Sequence, residues 1–120
     1  MPVVTAAETP MSNVAKGPVG EHVDELVIIT GNAAGARFEV VKEVTTAGRD
    51  ENSDLLLDDV SVSRHHAIFT RTASGRVTLR DLNSLNGTYV NGTRVEETSL
   101  HSADEVQIGK YKLVFWEATS

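Results

Sequence analysis

The most constraining feature of this sequence is a series of short runs of alternating apolar and polar residues, most of them ended by glycine or asparagine. The clearest pair flanks Asn91-Gly92. Asn-Gly tolerates the positive φ angles of a type I′ turn, and therefore predicts a tight hairpin at this point. No window of about a dozen residues carries the apolar stripe of an amphipathic helix. Short strands at close spacing predict an all-β domain, either an antiparallel β-sandwich or a barrel.

The predicted strands follow this pattern along most of the chain. Ser74-Gly75 separates two alternating runs and predicts a second hairpin, and Gly109-Lys110 separates the last two runs and predicts a third. The runs cover residues 26–30, 37–40, 44–47, 55–57, 67–71, 77–80, 88–90, 93–95, 105–108 and 111–116.

Composition excludes several classes of function. The 120 residues carry 11 Lys and Arg against 17 Asp and Glu, a net charge of −6. Nucleic-acid affinity rests mainly on cationic surface, so a nucleic-acid partner is not expected. The chain has no cysteine, which excludes disulfides, thiolate metal sites and a cysteine nucleophile. With no membrane-length apolar stretch and no visible secretory signal, we expect a cytoplasmic, single-domain monomer.

Residues 1–24 differ from the rest of the chain. They hold all three prolines and show no sustained periodicity, so they cannot bury enough apolar surface to offset the entropy cost of ordering. We expect a flexible tail over 1–24, a domain over 25–117 and a short C-terminal end over 118–120. Thr5 and Thr9 are the candidate phosphorylation sites in the tail, and the stretch from Thr9 to Asp24 can extend over roughly 50 Å.

Three predicted turns concentrate hydrogen-bonding groups that this acidic chain does not otherwise show. The first contains Arg49, the second Ser63 and Arg64, and the third Asn86. Arginine carries a permanent charge on a planar fork of donors, serine supplies a hydroxyl, and asparagine supplies an amide. This inventory suits a doubly charged anion with three terminal oxygens, such as a phosphomonoester.

These motifs, in this order and spacing, resemble the signature of forkhead-associated (FHA) domains. The signature residues are Gly48-Arg49, Ser63-Arg64-His65-His66 and Asn86-Gly87-Thr88, and the likeness covers roughly residues 25–117. Three stretches, residues 53–69, 84–91 and 104–115, are most similar to one subgroup of the family. It comprises small actinobacterial regulators known as glycogen accumulation regulators and oxoglutarate dehydrogenase inhibitors.

The resemblance implies a sandwich of about eleven short strands with a phosphothreonine-peptide site in the loops at one end. Arg49 and Arg64 would contact phosphate oxygens, the Ser63 hydroxyl would donate to the phosphate, and Asn86 would hydrogen-bond the peptide backbone. The peptide-binding loop would also include Ser84 and Leu85. Leu85 departs from the family pattern, since many members have threonine there. The residues expected to brace the site are Gly48, His66 and Gly87.

The implied function is a reader of phosphothreonine in Ser/Thr-kinase signalling, acting on central 2-oxoglutarate and glutamate metabolism. Its expected partners are phosphothreonine proteins, a Ser/Thr protein kinase and 2-oxoglutarate-linked enzymes, and it needs no cofactor. One alternative is an inhibitor that binds unmodified metabolic enzymes through the same loops and is switched off by phosphorylation of its tail. Another is a scaffold without a binding site.

Two chemical alternatives remain at the predicted second turn. Ser63 and His66 could form a hydrolase set with Asp81, but the chain lacks a nucleophile-elbow motif such as Gly-x-Ser-x-Gly. His65 and His66 could bind a metal, but His22 and His101 lie far from them in the sequence, and neighbouring residues on a strand face opposite sides. We expect neither catalysis nor a metal.

Overall fold

The computed structural model describes residues 23–118, so the predicted tail and its threonines lie almost entirely outside the described residues. Residues 23–118 contain eleven strands and one short 3-10 turn, Gly31–Ala33. The strands are β1 (Asp24–Ile28), β2 (Arg37–Val40), β3 (Val44–Gly48), β4 (Leu55–Leu56), β5 (Ala67–Arg71), β6 (Val77–Asp81), β7 (Thr88–Val90), β8 (Thr93–Val95), β9 (Glu97–Ser99), β10 (Glu105–Ile108) and β11 (Tyr111–Trp116).

Two sheets form a β-sandwich. One sheet has the order β2-β1-β11-β10-β7-β8, and the other has the order β4-β3-β5-β6-β9. All pairs are antiparallel except β3 with β4, which run parallel through Ala47↔Leu55 and Gly48↔Leu56. The predicted all-β sandwich is therefore confirmed. No helix within residues 23–118 is long and apolar enough to cross a bilayer.

The hairpin at Asn91-Gly92 has the backbone that the sequence predicts. The φ angles are 51° at Asn91 and 85° at Gly92, as a type I′ turn requires. Val90 then pairs with Thr93. Strand β7, which follows the Asn86-Gly87 turn, lies between β10 and the edge strand β8.

The core consists of inward-facing apolar side chains from both sheets. Phe69 and Phe115 are its largest fully buried members. Alternate burial along β5, β6, β10 and β11 explains why these four strands are visible as alternating runs. The fully or almost fully buried aliphatic members include Leu26, Ile28, Leu55, Leu57, Leu79, Leu100, Ile108 and Leu113.

Strand β1 begins at Asp24, one residue before the expected start of the domain at residue 25. Asp24 opens β1 and is buried. Its carboxylate accepts hydrogen bonds from Arg71 at 2.6 Å and from the Ala118 amide at 2.7 Å. Both ends of the described chain are thereby tied to β5, which places Asp24 in the folded body.

Four loops meet at one end of the sandwich. Ala47 near the end of β3 pairs with Ala67 at the start of β5, which pairs with Asp81 at the end of β6. In the other sheet, Ile108 pairs with both Thr88 and Tyr111. The loops β3–β4, β4–β5, β6–β7 and β10–β11 therefore leave the sheets at neighbouring strand ends.

Candidate functional site

The β3–β4 and β4–β5 loops are held together by main-chain hydrogen bonds. The Arg49 amide donates to Ser63 O at 3.0 Å, and the Asp50 amide donates to Arg64 O at 3.2 Å. Gly48 makes this approach feasible, because a Cβ atom there would lie 2.0 Å from Arg64 O. Glycine is needed at position 48 because the main chains of β3 and the β4–β5 loop approach each other too closely for a side chain.

The two arginines present their guanidinium groups at the surface. Both side chains are exposed. Arg49 Nε donates to Val62 O at 3.0 Å, which orients the group and leaves its two terminal nitrogens free of bonds to residues 23–118. Within that same range, neither Arg49 nor Arg64 lies within 4.0 Å of a carboxylate oxygen. Two adjacent loops thus offer unneutralised positive charge, which suits an anion.

Ser63 and Leu85 join the β4–β5 loop to the β6–β7 loop. The Leu85 amide donates to Ser63 Oγ at 3.0 Å. Because Ser63 Oγ accepts this bond, its own proton is free to be donated to a ligand. Leu85 itself is 85% exposed, so its side chain stands in solvent beside that hydroxyl.

His66 bridges the same two loops from beneath. It is fully buried; its Nδ1 accepts from the Ser63 amide at 3.0 Å, and its Nε2 lies 2.9 Å from Gly87 O. The first bond requires Nδ1 to be unprotonated, so Nε2 carries the proton and donates to the carbonyl. Both ring nitrogens are therefore engaged by backbone groups.

The alternative hydrolase set lacks the required geometry. His66 contacts the main-chain amide of Ser63 instead of its hydroxyl, so no base is in place to activate a nucleophile. The described residues, 23–118, also contain no group of three or more His, Cys, Asp or Glu side chains placed to hold a metal ion. The Nε2 atom of His65 lies 3.8 Å from Asp50 Oδ2.

Asp81 organises the β6–β7 loop. Its carboxylate accepts from the Ser84 hydroxyl and amide and from Thr88 Oγ1 at 2.7 Å. Burial acts to raise the pKa of Asp81, but the hydrogen bonds from Ser84 and Thr88 outweigh it and lower that pKa below its ordinary value. Sequence reasoning considered Asp81 only as a hydrolase residue, although the spacing Asp81-x-x-Ser84 is typical of a side-chain-capped turn.

Ser84 does not have the position expected for a ligand contact. It is 7% exposed, and its hydroxyl donates to Asp81 and accepts from the Gly87 amide at 2.9 Å. Gly87 has a φ of 87°, which the loop needs in order to reach β7. These contacts make Ser84 a support of the loop that carries Leu85 and Asn86.

Asn86 lies at the other side of the same loop. Its side chain is exposed, and Nδ2 donates to Ser61 O at 2.9 Å. The cleft beside it is lined by Ser61, Asn86, Tyr89, Gln107, Gly109 and Lys110. The structure therefore brings Arg49, Ser63, Arg64, Leu85 and Asn86 onto one group of connected loops, supported by Gly48, His66 and Gly87. Thr5 and Thr9 lie outside the described residues.

Comparison with known proteins identifies the family. The sequence model of the FHA domain matches residues 45–109. The chain belongs to the FHA family. The glycogen accumulation regulator GarA of Mycolicibacterium smegmatis is 46% identical over 114 residues, covering 95% of this chain and 70% of that protein. The oxoglutarate dehydrogenase inhibitor of Corynebacterium diphtheriae is 53% identical over 92 residues, covering 77% of this chain and 64% of that protein.

Solved structures agree with this assignment. Mycobacterium tuberculosis EmbR, in complex with a low-affinity phosphopeptide, matches 82% of this chain and 25% of its own with a TM-score of 0.75 at 28% identity. An FHA domain from a study of phosphothreonine-dependent FHA interactions matches 78% of this chain and 95% of its own with a TM-score of 0.72, also at 28% identity. The predicted likeness to the FHA family and to its regulator subgroup is confirmed. So is the prediction of a regulatory protein rather than an enzyme.

Proposed function

We propose that this FHA domain binds phosphothreonine peptides in Ser/Thr-kinase signalling, through Arg49, Ser63 and Arg64 for the phosphate and Asn86 for the peptide backbone. The observation that carries the proposal is the pair of exposed guanidinium groups without carboxylate partners in residues 23–118, on loops joined by hydrogen bonds to Ser63. A phosphate monoester offers the charge and the three acceptor oxygens that these donors match.

Titration of phosphorylated and unphosphorylated versions of one peptide tests this proposal. The peptide is first selected on an oriented phosphothreonine array. A charge-assisted hydrogen bond contributes about 1.5–3 kcal/mol, so Arg49→Ala is expected to weaken phosphopeptide binding by roughly 10- to 150-fold. Arg80→Ala serves as the control, because Arg80 is an exposed arginine on β6 outside the site loops. Equal affinities of the wild type for the two peptides would contradict the proposal.

A second function is favoured by the relatives. Proteins about half identical to this chain are oxoglutarate dehydrogenase inhibitors, so the same loop face is a candidate surface for binding unmodified 2-oxoglutarate-linked enzymes. Phosphorylation of Thr5 or Thr9 would then switch the inhibition off by occupying the phosphate site from within the chain. We infer a cytoplasmic monomer acting with a Ser/Thr kinase and without nucleic acid, membrane or cofactor.

A pull-down from phosphatase-treated lysate separates the two functions. A pure phosphopeptide reader loses its partners after phosphatase treatment, whereas an inhibitor of unmodified enzymes retains them. Kinase treatment of the full chain, with Thr5→Ala and Thr9→Ala as controls, tests the switch. The self-occlusion hypothesis requires phosphorylation of the tail to weaken binding of an added phosphopeptide.

A further inference from the structure

Ser61 connects three segments at the edge of the site. Its amide and its hydroxyl both donate to Asp59 Oδ2, at 2.9 and 2.6 Å. Its Oγ also accepts from the Lys110 amide at 2.8 Å, and its carbonyl accepts from Asn86 Nδ2 at 2.9 Å. Every polar group of this serine is therefore engaged, and each bond beyond Asp59 leads to a different loop.

The β10–β11 turn fits against Ser61 with no room to spare. A Cβ atom at Gly109 would lie 2.6 Å from Ser61 Oγ and 2.8 Å from Ser61 O. Lys110 Nζ then reaches Asp59 Oδ1 at 3.1 Å. The turn is thereby fixed to the β4–β5 loop by the bond from the Lys110 amide to the Ser61 hydroxyl and by one ion pair, and the Ser61 carbonyl has a fixed position.

This carbonyl decides which way the Asn86 amide faces. The opposite amide orientation would bring Asn86 Oδ1 against Ser61 O, and two acceptors cannot share a hydrogen bond. With one Nδ2 proton donated to Ser61 O, the exposed amide keeps its second Nδ2 proton, and its acceptor Oδ1 is left for a ligand. A main-chain N–H of an extended peptide is the donor that matches it.

We propose that Ser61, held by Asp59 and by the Gly109-Lys110 turn, is a positioning residue that presents Asn86 Oδ1 to a peptide N–H. The inference rests on the proposed peptide-binding function and adds the β10–β11 turn to the site. Ser61 itself need not touch the peptide, because its effect is transmitted through Asn86.

A double-mutant cycle measures this transmission. The array-selected phosphothreonine peptide is titrated onto the wild type, Ser61→Ala, Asn86→Ala and the double variant. Losing the hydroxyl that anchors the carbonyl is expected to weaken binding by roughly 2- to 12-fold in the wild-type background, and to have no further effect once Asn86 is alanine. Ser99→Ala, an exposed serine on β9, is the control for a neutral serine replacement.

The NMR signals of the Asn86 side-chain NH₂ group supply a readout that folding alone does not move. Ser61→Ala is expected to shift them in the free protein, measured well below the thermal midpoints of both variants, whereas Ser99→Ala leaves them in place. An additive loss in both backgrounds, no loss in either, or unshifted Asn86 signals would overturn the inference. A wild type that does not distinguish phosphorylated from unphosphorylated peptide would instead contradict the proposed function.

Discussion

Leu85 stands where many FHA domains have threonine, and its exposed aliphatic side chain cannot hydrogen-bond a phosphate. Its amide already donates to Ser63 Oγ, so Leu85→Thr keeps this backbone contact and adds a hydroxyl beside the proposed phosphate position. A hydrogen bond to a charged group contributes about 1.5 kcal/mol or more, so we expect phosphopeptide affinity to rise by roughly tenfold. Calorimetric titration measures the change.

Leu85→Val is the matched control for that substitution, because it shortens the side chain to the same branched shape without a hydroxyl. An equal gain in Leu85→Val and Leu85→Thr would mean that steric relief explains the effect. No gain in either variant would mean that the phosphate does not approach position 85.

Asp59 gives the binding end a measurable pH dependence. Hydrogen bonds from the Ser61 hydroxyl and amide, with Lys110 nearby, lower the pKa of Asp59 from 3.8 to about 2. Since the folded pKa lies below the unfolded one, the contribution of Asp59 to stability is complete above about pH 4 and is lost as the pH falls towards 2. Urea unfolding at a series of pH values is expected to show a smaller loss of stability over this window in Asp59→Asn than in the wild type.

The surface position of Asp58 makes Asp58→Asn a suitable comparison for the acid titration. Asp58 is exposed, and Asp58→Asn removes the same formal charge as Asp59→Asn from the neighbouring position. If both variants change the pH profile to the same degree, general charge repulsion accounts for it and the Ser61 contacts do not.

Most of the strands that the sequence pattern predicts bury one face, and β8, which buries none of its residues, is predicted from the Asn91-Gly92 turn. β5 and β6 alternate between the core and the surface, so the period of two is visible in their residues. Strand β9 is different, because its residues Glu97–Ser99 contribute no buried side chain, and it is recognised only by its pairing with β6. Its edge position leaves the pattern without an apolar member, which is why sequence analysis missed it.

The residues of the candidate site also divide into those that the sequence predicts and those that only the structure reveals. That Arg49, Ser63 and Asn86 lie on connected loops could be predicted, because the FHA motif specifies their order, and their role in binding a phosphopeptide stays a prediction. The Asp59, Ser61 and Lys110 contacts could not be predicted, since they join loops that are about fifty residues apart in the chain. Such a contact has no local period or propensity and depends on the two sheets packing together.

The close crossing of the β3 end and the β4–β5 loop is tested by Gly48→Ala. The added methyl group would lie 2.0 Å from Arg64 O, so the backbone must move, at a cost of about 1–3 kcal/mol. We expect lower stability in thermal or urea unfolding together with weaker phosphopeptide binding, because Arg49 and Arg64 would separate.

A second glycine provides the comparison. Gly75 in the β5–β6 hairpin has a φ of 88° and open space around it, so Gly75→Ala costs backbone strain of roughly 1–2 kcal/mol without disturbing the loops. It is expected to destabilise the fold while leaving peptide affinity unchanged. Weakened binding in both variants would show that affinity follows global stability instead of loop geometry.

At the scale of the whole molecule, the candidate site and the Asp24–Arg71 ion pair, which joins the two sheets, occupy opposite ends of the sandwich. Strand β11 starts beside the Gly109-Lys110 turn and ends at Trp116, which pairs with Glu25. Strand β5 begins at Ala67, beside the site loops, and ends at Arg71, at the other end of the sandwich. The Asp24–Arg71 pair therefore links the two sheets at the end away from the loops.

This separation predicts that stability and binding can be changed independently. Asp24→Asn keeps the shape of the side chain but removes the charge that pairs with Arg71 at 2.6 Å and accepts from the Ala118 amide. Because Asp24 is buried and Arg71 is about one-third exposed, we expect a loss of about 1–3 kcal/mol in the free energy of unfolding. The dissociation constant for the phosphopeptide should stay within about twofold of the wild type at a temperature where both proteins are folded. A large loss of affinity in Asp24→Asn would mean that the two sheets do not hold the loops as a rigid unit, and that the far end of the sandwich takes part in shaping the site.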